Sequence, residues 1–179
     1  MTRALLIKLH LYFSAFFSAT IILVALSGGL YLVGIKGSVE QTTVATASGG
    51  QALLADPSKM AVQSVLANSG VTDFEFDYVK QAGSTIMTRP TSRPYYTLTI
   101  SGDAVEITLN QPSLQKRLVE LHKGHGPTAF KTFQKIFAAG MVFIMLSGLW
   151  LGLSSERLRK TTLITTGSGL ALFLALVLI

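Results

Sequence analysis

Residues 121–153 read LHKGHGPTAFKTFQKIFAAGMVFIMLSGLWLGL: a histidine pair, a Gly-Pro break, a collar of lysines, and then an apolar run. Between Lys135 and Glu156 no side chain carries a charge. A helix rises about 1.5 Å per residue, so about 20 such residues cross the roughly 30 Å of bilayer hydrocarbon. The run is long enough for one crossing, and the other segments can be placed from it.

Residues 7–34, IKLHLYFSAFFSATIILVALSGGLYLVG, repeat the design, with a histidine at the polar edge and Ser-Gly deep in the apolar run. Phe17 aligns with Phe137, and Leu26-Ser27-Gly28 with Leu146-Ser147-Gly148, without gaps. A polar segment separates the two copies, so they are expected to cross in opposite senses as a small inverted repeat. A third apolar run occupies 161–179. Nearly half of the 179 residues are apolar and 13% are charged. That balance is too apolar for an ordinary soluble domain and reads as an integral membrane protein.

Several function classes are excluded. With no cysteine, the chain has no disulfide framework, thiolate metal site or cysteine nucleophile. The net charge of +6 comes from basic residues scattered at the membrane edges, so no nucleic-acid partner is expected. No Walker loop, dinucleotide fingerprint, serine triad or zinc-ligand spacing appears, and no catalytic residue is assigned. Positive-inside counting puts residues 1–8 and the Glu156-Arg157-Leu158-Arg159-Lys160 loop in the cytoplasm, and the segment between the first two spans outside.

The expected order is a first span at 9–35, a linker at 36–55, an α+β module at 56–111, an amphipathic helix and hinge at 112–126, a second span at 128–153 and a third at 161–179. Within the module, Asp56-Pro57-Ser58 reads as a helix start with Asp56 as cap, the helix running to about Asn68. Asp73 to Tyr78 alternates aromatics with carboxylates as a half-buried strand. Tyr95–Ile100 and Ala104–Leu109 flank Ser101-Gly102-Asp103 as a hairpin. One helix on a small antiparallel sheet is the economical fold.

A span entered through Leu9-His10, a helix-plus-strands module, then Leu121-His122-Lys123-Gly124 leading to a span that ends Leu146-Ser147-Gly148-Leu149-Trp150: in this order the chain resembles the PepSY-associated transmembrane family over nearly its whole length. The resemblance implies a bacterial inner-membrane protein with a cytoplasmic N-terminus and a periplasmic PepSY-like module. Larger relatives are similar to haem-containing reductases of ferric siderophores. The soluble module alone is known as a binding or inhibitory domain attached to secreted peptidases. This chain is shorter than those reductases and has fewer histidines, so autonomous electron transfer is not carried over.

Three histidines are candidate ligands of haem b: His10, His122 and His125. Opposed spans bring Ser147-Gly148 to the depth of His10, and Ser27-Gly28-Gly29 to that of His122 and His125, leaving room for a flat macrocycle. His10 lies a membrane thickness from the other two, and His122 and His125 share one short segment. A second ligand must then come from Met145, a second copy or another subunit. Gly148 and Gly152 match a small-x-x-x-small packing motif, and Ser27, Gly28, Gly29, Ser147, Gly148 and Gly152 are the expected helix-contact residues. Asp73, Glu75 and Asp77 form an acidic stripe that reads as a solvated face.

The leading expectation is a non-catalytic accessory subunit that meets the lipid bilayer and other membrane subunits within a redox or iron-uptake complex. The rival is a haem b electron carrier or ferric reductase completed by a second copy. A third reading, from the module alone, is a membrane-tethered peptidase inhibitor.

Overall fold

The computed structural model describes residues 2–179; Met1, at the head of the basic N-terminal segment, lies outside them. The elements follow the order α1 (Arg3–Leu32), β1 (Val39–Ala47), α2 (Gly50–Ala55), α3 (Lys59–Asn68), β2 (Tyr78–Ala82), β3 (Thr85–Arg89), β4 (Tyr95–Ser101), β5 (Ala104–Pro112), α4 (Leu114–His122), α5 (Thr128–Leu153) and α6 (Glu156–Leu178). Helices α1, α5 and α6, of 30, 26 and 23 residues, are long and apolar enough to cross a membrane. The chain divides into two compact units, residues 1–20 with 135–179, and residues 21–134.

In the first unit, α1 and α5 run antiparallel. His10 meets Ser147, Phe13 meets Phe143, and Phe17 meets Phe137. Gly140 makes the close approach possible, because a Cβ there would lie 2.4 Å from the Phe17 ring. Phe17 is buried, so that ring has nowhere to retreat. Helix α6 has no buried residue. It meets α5 where Gly152 faces Thr162.

The second unit is built on a five-stranded antiparallel sheet ordered β1-β5-β4-β3-β2. Alternate residues of the central strands, Ile86, Tyr96, Leu98, Ile100, Val105 and Ile107, join Leu53 of α2 and Val62 and Leu66 of α3 in one core. The hairpin read at Ser101-Gly102-Asp103 forms, with Ser101 opposite Ala104.

Several sequence readings are corrected here. Much of the stretch taken as linker, 36–55, is ordered: β1 pairs with β5 from Val39 opposite Pro112 to Ala47 opposite Val105. Its side chains are mostly exposed, so the strand carries no burial alternation and depends on β5 for its register. The half-buried strand expected from Asp73 is absent until Tyr78. Phe76 is buried in the core, while Asp77 and Arg93 serve other contacts, so the alternation there reflects packing without a ladder. The cap of α3 is Ser58, whose Oγ accepts from the Ala61 amide at 3.2 Å; Asp56 closes α2 instead. Helix α4 starts after Ser113, since Pro112 still belongs to β5.

Candidate functional site

Two histidines are held in the same way. In the first unit, Ser147 lies one helical turn past Ile144, and its hydroxyl donates to the Ile144 carbonyl at 3.1 Å. The same Oγ shares a hydrogen bond with His10 Nδ1 at 2.8 Å. In the second unit, Ser27 Oγ donates to the Val24 carbonyl at 3.1 Å and shares a hydrogen bond with His122 Nδ1 at 3.1 Å. Each imidazole is therefore held by a serine through Nδ1, with Nε2 on the far side of the ring. Where the serine proton goes to the helix carbonyl, Nδ1 carries the ring proton and Nε2 has the lone pair that could ligate a metal. The glycine after each serine clears the ring: a Cβ at Gly148 would lie 3.3 Å from His10 Cε1, and one at Gly28 3.1 Å from His122 Cε1.

The other residues singled out by sequence are used differently. Gly29 has open space beside it, and Gly152 faces Thr162 on α6. The two small residues of Gly148-x-x-x-Gly152 thus face different helices of the same chain. Met145, two residues from Ser147, is 56% exposed and lies on the opposite side of α5 from the His10 contact, so it does not complete a His-Met pair.

His125 is turned into a polar cluster that the sequence did not reveal. Its Nδ1 lies 2.6 Å from Glu120 Oε2, which also accepts from Thr91 Oγ1 at 2.7 Å; Arg89 Nη1 donates to Thr91 Oγ1 at 2.9 Å. Lys116 and Lys123 flank the other carboxylate oxygen at 3.4 and 3.8 Å. Arg89, Thr91 and Glu120 are all buried. Burial alone would raise the Glu120 pKa, but the hydrogen bonds from Thr91 and His125 and the charge of Lys116 outweigh it and hold the group at about 2. On α4, the buried residues are Val119 and Glu120, while Leu114 is exposed. The only sequence trace of the cluster is Glu120 set between Lys116 and Lys123 at helical spacing.

The acidic stripe also has structural work. Asp77 accepts from both the amide and the hydroxyl of Thr128 at 2.9 Å, capping α5, and these bonds keep its carboxyl below the ordinary range against the opposing effect of burial. Arg93 reaches Asp77 at 3.5 Å and Glu75 at 3.8 Å.

For haem, His10 and His122 are the residues that would each offer one imidazole nitrogen. A bis-histidine haem needs a second imidazole on the opposite side of the iron, and within the second unit His125 is bonded to Glu120 rather than set opposite His122. Neither unit, among the described residues, fits a complete bis-histidine site. No group of three or more His, Cys, Asp or Glu residues that could hold a metal ion occurs among the described residues.

A cavity of about 360 Å³ opens beside His122, lined by Ser27, Gly28, Tyr31, Leu32, Val119 and Lys123. It is almost wholly apolar apart from its rim.

No curated protein and no solved structure matches the chain. A family model does, over residues 58–179, from the cap of α3 through α6; α1 and β1 lie outside the match, which is narrower than the motifs suggested. The match covers well over half of the sequence, and with three apolar helices beside a small antiparallel sheet, this membrane protein belongs to the PepSY_TM-like family.

Proposed function

We propose that the protein is a non-catalytic accessory subunit of a membrane redox or iron-uptake assembly in the bacterial inner membrane. In this reading the N-terminus and the 156–160 loop are cytoplasmic, as the charge distribution favours, and the sheet with α2 and α3 is periplasmic. The observation that carries the reading is the pair of half-sites: His10 and His122 are each held by a serine through Nδ1, which turns Nε2 away from that contact, and among the described residues no metal-binding group of side chains surrounds either one. A chain that prepares one nitrogen per site is suited to completing a site with another chain. Helix α6, with no buried residue, offers that chain a lateral face.

A second reading rests on the same serine-held imidazoles: a haem b carrier completed by a second copy of this chain. Bound haem would supply one-electron chemistry; the contribution of this chain is to orient the imidazole through serine and to clear its flank with glycine.

Purification from native membranes in mild detergent tests both. Stoichiometric co-purification of other membrane subunits supports the accessory role. An isolated homo-oligomer with the reduced absorption bands of haem b, lost in His10→Ala or His122→Ala, replaces it with the second reading. A colourless protein with no associated subunit refutes both.

A further inference from the structure

The cavity beside His122 lies at a point where the chain changes from apolar to charged. Helix α1 ends at Leu32, and Lys36 is the first charge after the apolar run that began at Leu9. The segment between them is fastened to α4. Gln115 Nε2 donates to the Ile35 carbonyl at 3.3 Å, Ser38 N–H donates to Ser113 Oγ at 3.1 Å, and Ser113 N–H to the Ser38 carbonyl at 2.9 Å. Gly37, at φ +72°, lies so close to α4 that a Cβ would come within 2.4 Å of the Lys116 amide nitrogen. Lys36 is thus held near α4 by a built strap rather than by a loose loop.

Two ammonium groups converge on one ring. Lys36 Nζ lies 5.1 Å from the centre of the Tyr31 ring and Lys123 Nζ 5.7 Å from it. Among the described residues Lys36 has no acidic partner. Lys123 shares Glu120 with Lys116, so two lysines divide one carboxylate and, with Lys36 added, the rim keeps a positive excess. Below that rim the walls are Gly28, Leu32 and Val119. An apolar slot under an aromatic and basic rim, at the edge of a membrane span, matches one class of molecule on both counts.

We propose that this groove binds a single anionic phospholipid, its phosphate between Lys36 and Lys123 and one acyl chain along Gly28, Leu32 and Val119. The volume of about 360 Å³ sits at the low end of ordinary ligand pockets, which suits one chain. Glycine at position 28 serves both neighbours: it lets His122 approach and leaves the wall smooth.

The test uses the full-length protein in mild detergent, offered phosphatidylglycerol or phosphatidylcholine in mixed micelles, with retained lipid counted by native mass spectrometry. One phosphatidylglycerol is expected to remain, preferred about tenfold over phosphatidylcholine, since a surface lysine adds about fivefold and Lys123 is partly shared. Lys36→Gln with Lys123→Gln should abolish the preference, whereas Lys8→Gln with Lys160→Gln, at other membrane edges, should leave it intact. Val119→Trp, which fills the slot, should lower retention of both lipids. Equal retention of the two lipids, equal loss in both lysine pairs, or displacement of the lipid by excess inorganic phosphate overturns the proposal. Should Val119→Trp fail to fold, the lysine pairs decide alone.

Discussion

Replacing Glu120 by glutamine keeps its shape and removes its charge. The carboxyl falls from its ordinary value of 4.5 to about 2 in the folded protein, a difference of about 2.5 units, or about 3 kcal/mol at 1.36 kcal/mol per unit. Its side chain is only 9% exposed, so little of this is lost to solvent screening. Because the folded pKa is the lower one, the stabilisation is fully present above pH 4.5. It declines as pH falls below 4.5 and is gone once pH passes below about 2. Thermal or denaturant unfolding of the purified protein, followed by circular dichroism between pH 7 and pH 2, should therefore show wild type more stable than Glu120→Gln at pH 7, with about 3 kcal/mol of that gap closing on acidification. Parallel curves across the range would refute the reasoning, since they would mean that the carboxylate gains nothing from Thr91, His125 and Lys116.

The other predictions address separate parts of the molecule. Gly140→Ala drives a methyl into the confined Phe17 ring and should cost about 1–3 kcal/mol, read as a lower melting temperature of the detergent-solubilised protein. Asp77→Ala removes the cap of α5 and should cost about 1 kcal/mol, seen as faster amide exchange across the first turn from Thr128. Leu98→Ala, at a fully buried core position, should cost about 2–5 kcal/mol, whereas Leu114→Ala, 74% exposed, should stay within about 0.5 kcal/mol. Nitrogen-15 spectra should find His10 as a single Nδ1–H tautomer in wild type and as a mixture in Ser147→Ala; a mixture already present in wild type would contradict the serine-held orientation.

The three long helices and the opposed repeat were legible because bilayer thickness sets a length and an apolar demand that a run of residues either meets or does not. Local geometry was legible where a turn or cap dictates residue type, as at the Ser101–Ala104 hairpin. It failed where the partner is remote. Strand β1 carries no internal burial pattern and exists through hydrogen bonds to β5, between 58 and 73 residues away along the chain. Residues 73–77 carry the pattern of a strand without forming one.

For the candidate site, sequence alone identified His10 and His122, with Ser27-Gly28 and Ser147-Gly148, as chemistry set into apolar surroundings. It could not say which ring nitrogen each serine holds, because that depends on how the imidazole meets a hydroxyl on another helix, and in both pairs the nitrogen that meets it is Nδ1. Nor could it separate His125 from His122. Three residues apart in sequence, they differ in partners: His125 is bonded to Glu120 of α4, which Thr91 and Arg89 join from the end of β3 and just beyond it. Hydrophobic length is written along the chain, whereas hydrogen-bond partnership between distant segments exists only after folding.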